Sequence, residues 1–209
     1  LGSDNAMITD GIIRFQGEII NRLLPHQIAR RGIVLVPERN KVFQTLSVHE
    51  HLEVLGASKK ADRSTLNRIY EYFPALIPRR KTLAGLLSGG ERQMLAMGQA
   101  LICSPTLLLI DELSLGLAPL VIKALIESLI IMRRDFGLTI ALVEQNAAVA
   151  LDIADYAVVM ENGRVVFAGI PAKLLQHGDV KEFYLGMKGE NEKSYRDVKQ
   201  YRRNRKWWG

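Results

Sequence analysis

Residues 11–20 alternate apolar and polar positions around Gly17, a period-two pattern that predicts a β-hairpin. Residues 24–31 follow as a short helix, with Pro25 near the start and Gly32 just past the end. Ile33–Val36 is a continuous apolar run closed by Pro37, the pattern of a strand buried on both faces. The quartet Ser47, Val48, His49, Glu50 has the form of a capping box, so a helix is predicted over residues 47–55. Leu66, Ile69, Tyr70 and Phe73 recur at helical spacing and stop at Pro74, which predicts a second helix. A third is expected over residues 92–102, before Pro105. Strand and helix then alternate: a strand over 107–110, a helix over 119–134 ended by Gly137, a strand over Thr139–Val143 and a helix over Ala147–Ile153. A last hairpin, with strands Ala157–Glu161 and 164–168, turns on Asn162 and Gly163. The fold class is therefore α/β, with a mostly parallel sheet and a helical block inserted between strands.

Composition adds exclusions. No window approaches the roughly 20 apolar residues of a membrane span, since the most apolar helix candidate is interrupted by Lys123 and Glu127. The start lacks the pattern of a secretory signal, and a single cysteine, Cys103, rules out an internal disulfide. The formal charge of +6 is uneven, because residues 187–209 hold eight Lys or Arg against three acidic residues. The other 186 residues carry about +1, without the basic stripe of a nucleic-acid surface. No nucleic-acid partner is expected. The four histidines have no ligand partners at metal spacing.

The chemistry concentrates in two segments. Leu87, Ser88, Gly89, Gly90 and Glu91 form a glycine turn at the mouth of a helix, where free N–H groups and the Ser88 hydroxyl suit a phosphate. Twenty-three positions after Ser88, the apolar run 107–110 ends in Asp111 and Glu112. An acidic pair at the C-terminal end of a buried strand lies where α/β sheets place ligands. Asp111 would hold Mg²⁺, directly or through water, and Glu112 would polarise an attacking water. No G-x-x-x-x-G-K-[ST] loop occurs in the 209 residues.

Taken together, the segments at 36–52, 87–101, 107–120, 142–169 and 183–186 resemble the ATP-binding subunits of ABC importers for branched-chain and related hydrophobic amino acids. The resemblance implies a P-loop NTPase-like core. Its expected parts are a partial core over 1–46, a helical signature subdomain over 47–101, the rest of the core over 102–186 and a basic tail over 187–209. It also implies roles. Glu38 takes the Q-loop position, binding nucleotide and helping to hold Mg²⁺. Leu87 to Glu91 form the signature, Asp111 is the metal ligand, and Glu112 with Gln145 at the switch position is catalytic. Gln145 can donate a hydrogen bond to a γ-phosphate but carries no titrating proton. ATP and Mg²⁺ are the implied ligands. A second ATPase subunit packed head to tail and transmembrane permease subunits are the implied partners, at the cytoplasmic face of the membrane.

Departures from the family carry expectations of their own. Leu113 stands in place of a proline, which predicts a looser turn, Ala118 occupies a position often held by Asp, and Arg39 and Asn40 displace a glycine. Without the missing loop, the chain alone is expected to be inactive. The first residues read as native sequence or as a cloning remnant before Met7. The tail, ending in Trp207 and Trp208, suits an anionic membrane surface. Two rival functions stay open: a non-catalytic half-site that presents its signature to a partner ATPase, and an ABC-type protein acting on nucleic acid.

Overall fold

The computed structural model describes residues 8–39, 41–59, 63–178 and 180. The expectations for the start, for the basic tail and for Gly186 lie outside those residues. The chain divides into two compact units at Gln145/Asn146.

The first unit opens with β1 (Arg14–Phe15) and β2 (Glu18–Ile19), paired antiparallel. Gln16 and Gly17 both take positive φ, at 49° and 84°, the geometry that lets a two-residue turn follow the twist of its strands. Helix α1 (Pro25–Arg30) is entered through an extended Leu24, whose N–H is taken by the Gln27 side chain at 2.8 Å. Gly32 then reverses the chain at φ 88°, and its carbonyl accepts the N–H groups of Thr106 and Leu107. A side chain at Gly32 would collide with Thr106, so the glycine serves both the turn and the close approach of two strands.

Strand β3 (Ile33–Val36) lies beside β4 (Leu107–Asp111), and β4 beside β5 (Thr139–Val143), all parallel and in the order β3-β4-β5. Leu108 and Ile110 are fully buried in the middle strand. In β5 the residues alternate between exposed and half-buried, and among the described residues its outer edge has no neighbouring strand. The apolar run predicted a strand buried on both faces for β3, and Ile33 and Val36 fit that. β5 differs: its alternation leaves the face carrying Thr139, Ala141 and Val143 exposed.

Between β3 and β4 sits the helical block. Helix α2 (Val48–Lys59) begins with the predicted capping box: the Ser47 hydroxyl accepts the Glu50 N–H at 3.2 Å, and the Glu50 carboxylate accepts the Ser47 N–H at 2.7 Å. It runs four residues past the predicted end, straight through Gly56. Helix α3 (Arg63–Tyr72) stops before Pro74, and 3₁₀ turns follow at Pro74–Arg79 and Ala84–Leu86. Leu46 to Val48 pair with Thr82 to Ala84 through two backbone bonds, which brings the lead-in of the next helix to the start of α2. That helix, α4, spans Gly89–Ile102. Its predicted start at residue 92 is corrected, because both glycines belong to its first turn. Val48, Leu52, Ile69, Phe73, Leu76, Leu95, Met97 and Leu101 form the core of this block. Each fully buried aliphatic side chain there is worth about 1.5–3 kcal/mol of transfer free energy. Helix α5 (Pro119–Phe136) closes at Gly137, which adopts the left-handed conformation at φ 61°.

In the second unit, α6 (Ala147–Ile153) is capped by Asn146, whose side chain accepts the Val149 N–H. β6 (Ala157–Glu161) and β7 (Arg164–Gly169) form the expected antiparallel hairpin, with Asn162 and Gly163 both at positive φ. A four-residue helix, α7 (Pro171–Leu174), follows.

Candidate functional site

Three parallel strands deliver their C-terminal ends to one edge of the sheet. β3 leads through Pro37 to Glu38, β4 ends in Asp111 and Glu112, and β5 leads to Glu144 and Gln145. The register Asp111↔Val143 makes the last rung of the β4–β5 ladder the floor of this group. The sequence reading placed Glu38, Asp111, Glu112 and Gln145 at one site, and the sheet brings these four together.

Glu112 is unusual in its backbone. Its φ is 53°, in the left-handed region that a side-chain-bearing residue seldom occupies. Its N–H donates to the Val143 carbonyl at 2.9 Å. The Glu112 carboxyl lies above its ordinary value, first because burial disfavours its charge and next because Glu144 is close by. A hydrogen bond from the Gln145 backbone opposes the rise, while Asp111 and Glu38 add to it. Burial and the charges of Glu144, Asp111 and Glu38 together hold the carboxyl toward the proton-bearing form, the direction suited to a group that takes a proton from water.

A lysine lies beside these carboxylates. Lys41 is half-buried, and its ammonium donates to the side-chain oxygen of Gln93 on α4. Burial lowers the Lys41 pKa, the charges of Glu38 and Asp111 oppose the drop, and Arg92 reinforces it. Gln93 is 2% exposed, and its amide nitrogen has no partner among the described residues. Glu38 also pairs with Arg39 at 2.9 Å. A cavity of about 150 Å³ opens beside Lys41 and Pro37, with Gln99 and Cys103 of the α4 end on its wall.

The signature residues are built as a helix cap. Ser88 is the N-cap of α4, its oxygen accepting the Glu91 N–H at 3.2 Å, so its own hydroxyl proton stays available as a donor. Glu91 returns the bond by accepting the Ser88 N–H at 2.8 Å, and it pairs with Arg79 at 2.9 Å. Burial would raise the Glu91 carboxyl, but the Ser88 donors and Arg79 outweigh burial and hold it below its ordinary value. Leu87 is buried, and its carbonyl accepts from the Arg92 guanidinium. Gly90 lies against Val121 and Gly89 against Leu117, so tightly that a Cβ at either position would crowd α5 or the loop leading into it. Close packing is thus a second use of these glycines. The signature and the acidic edge are separate features of the first unit: Ser88 bonds to its own helix, not to Asp111 or Glu112.

Several members of the site had no role in the sequence reading. Lys41 and Glu144 were assigned no role, each falling only within a segment that carries the resemblance, 36–52 and 142–169. Ser114 follows the replaced proline position. Both donors of Ser114 go to Glu144, the N–H at 3.0 Å and the hydroxyl at 2.6 Å. Leu113 is 1% exposed, its side chain driven into the core. Among the described residues no cluster of three or more His, Cys, Asp or Glu forms a metal cage.

Comparison with known proteins sets this geometry in context. The family description "ABC transporter" matches residues 3–114. The high-affinity branched-chain amino acid transport ATP-binding protein BraG of Pseudomonas aeruginosa is 45% identical over 178 residues, covering 84% of this chain and 76% of its own length. A probable branched-chain amino acid transport ATP-binding protein, LivF of Archaeoglobus fulgidus, is 35% identical and covers 87% of this chain and 78% of its own length. Among solved structures, an ATP-binding cassette of an ABC transporter in its ADP conformation superposes with a TM-score of 0.72 at 22% identity. It spans 87% of this chain and 79% of that one, a likeness of fold.

Proposed function

We propose that this chain, which belongs to the ABC transporter family, is the ATP-binding subunit of an importer for branched-chain or related hydrophobic amino acids. The observation that carries the solute class is its 45% identity to BraG across most of both chains. ATP is the nucleotide. The convergence of Glu38, Asp111, Glu112 and Gln145 at one sheet edge supports assigning hydrolysis there.

The donor set fits Mg²⁺. That ion keeps several waters and takes one or two carboxylates plus phosphate oxygens, so a pair such as Asp111 and Glu38 serves it where the described residues form no cage of protein ligands. When bound, it neutralises charge on the β- and γ-phosphates. Glu112 orients the attacking water and accepts its proton, and Gln145 donates a hydrogen bond to the γ-phosphate. Ser88, Gly89 and Gly90, with Leu87 and Glu91 supporting the turn, meet ATP held by a second ATPase subunit arranged head to tail. The transmembrane permease subunits carry the solute. No described helix is long and apolar enough to cross a membrane, and the proposed station is peripheral, on the cytoplasmic face. Residues 187–209 add a basic contact to anionic lipid.

Hydrolysis and uptake are tested together in proteoliposomes that carry the chain, joined at its start to a G-x-x-x-x-G-K-[ST] segment, with its permease and partner ATPase subunits. Labelled leucine should enter only with Mg²⁺ and ATP, and Glu112→Gln should slow ATP turnover by about 10²–10⁴-fold. Uptake indifferent to ATP, or turnover unchanged in Glu112→Gln, would overturn the assignment. These 209 residues hold no G-x-x-x-x-G-K-[ST] loop to cradle phosphates. By themselves they should turn over ATP negligibly, and turnover by the purified 209 residues that Glu112→Gln abolishes would refute that.

A further inference from the structure

Beyond the last ladder rung, Asp111↔Val143, the ends of β4 and β5 remain tied residue by residue. The Glu112 N–H reaches the Val143 carbonyl at 2.9 Å. The Glu144 carboxylate receives both donors of Ser114, one on each oxygen, at 3.0 and 2.6 Å. Ser114 is buried and Leu113 more so. A side-chain-bearing residue stays at φ 53° only where its surroundings over-determine it. Here they do so through the Val143 bond before Leu113 and the Glu144 clasp after it.

Charge sharpens the point. The Glu144 carboxylate takes one Ser114 donor on each oxygen, and a neutral residue could not accept two hydrogen bonds so strongly, because bonds to an ionised acceptor are about twice as strong as neutral ones. Leucine at 113 leaves φ unrestrained, where a proline ring would fix it. The restraint on this turn is therefore non-covalent.

We infer that Glu144 is a positioning residue of the ATP site: by clasping Ser114 it holds the turn from Glu112 to Ser114 in the strained conformation that aims the Glu112 carboxylate. The same clasp fixes the backbone that enters Gln145. This rests on Glu112 being the residue that polarises water, and the test separates the two ideas.

Amide hydrogen exchange is measured on the full chain for Glu144→Ala, Glu144→Gln and Ser114→Ala. In Glu144→Ala the Glu112 and Ser114 amides should exchange roughly 10–100-fold faster, the loss of a charge-assisted bond, while α4 amides such as that of Met97 keep their rates. Glu144→Gln, which retains an acceptor oxygen and the side-chain shape, should fall in between and remains informative if Glu144→Ala folds poorly. In the assembled transporter, Glu144→Ala should lower kcat about 10-fold or more with KM for ATP changed less than about threefold, since the clasp acts on orientation rather than on nucleotide binding. Ser114→Ala added to Glu144→Ala should cost less than about twofold further, because the pair acts as one unit. Unchanged exchange at Glu112 and Ser114 overturns the clasp. Faster exchange with unchanged kcat overturns its role in positioning, as do effects of the two substitutions that simply multiply. Should the assembled wild type fail to hydrolyse ATP at all, the reading of Glu112 falls, and exchange still decides whether the clasp holds the turn.

Discussion

A methyl group placed on Gly90 probes why the signature carries its second glycine. The added Cβ would overlap Cγ1 of Val121 on α5 well inside contact distance. Valine in a helix has essentially one side-chain rotamer, so the clash cannot be relieved by rotation and α4 and α5 must move apart. Overpacking of this kind costs about 1–3 kcal/mol. Alanine's better helix propensity recovers at most about 1 kcal/mol, and less in the first turn, where Gly90 lies. The net loss should be roughly 1–2 kcal/mol. With urea slopes of about 1–3 kcal/mol per molar, the unfolding midpoint of Gly90→Ala should drop by roughly 0.5–1 M. Val121→Ala alone should cost about 1 kcal/mol for the carbon atoms removed. Combined with Gly90→Ala it makes room for the new methyl, so the double variant should be more stable than the sum of the two losses by about 1 kcal/mol. The direction of the Cβ has a functional corollary. It points at α5, away from any ligand at the helix mouth, so ATP turnover in the assembled transporter should recover along with stability. Strict additivity in urea would refute the packing argument. Restored stability without restored turnover would mean that the backbone at Gly90 must approach phosphate more closely than alanine allows.

Three further outcomes follow from the same geometry. The Ser47 side chain first, and its backbone N–H next, hold the Glu50 carboxyl below its ordinary value of 4.5. A carboxyl lowered in the folded state contributes stability above its unfolded pKa and loses it as pH falls through the folded one. Glu50→Gln should therefore lower the melting temperature at neutral pH, with the gap from wild type closing below pH 4.5, and a gap independent of pH would refute the assignment. Met97, fully buried in the helical block, should cost about 2–5 kcal/mol on truncation to alanine, and a urea midpoint unchanged in Met97→Ala would show that the block collapses around the void. Replacing the eight Lys and Arg of residues 187–209 with Gln should weaken binding to anionic vesicles by roughly 1 kcal/mol per residue near the surface at low salt. High salt should erase the difference, and equal binding of the two forms at low salt would remove the tail from the membrane contact.

What the sequence made legible, and what it hid, divides along a physical line. Features set by neighbours in the chain were readable: the Gly17 turn, the Ser47 and Glu50 box, Gly137 as a cap, and an apolar strand ending in Asp111. Features set across the fold were not. Low helix propensity puts Gly89 and Gly90 in a loop, yet Ser88 and Glu91 cap them into α4, where α5 leaves no room for a larger residue at 90. The run Thr139–Val143 was readable as a strand, but not that its Thr139, Ala141 and Val143 face is exposed. Lys41 and Gln93 are 52 positions apart, and Ser114 and Glu144 are 30 apart. A motif names the groups that meet the reacting atoms, because their chemistry restricts the residue type. It is silent on the groups that aim them, since many residue types can position a turn, and which one does so depends on which strand ends the sheet brings side by side. Glu144 illustrates this: its position beside Gln145 is plain in the chain, but its bond to Ser114 follows from β5 lying next to β4 in the register that seats Val143 opposite Asp111.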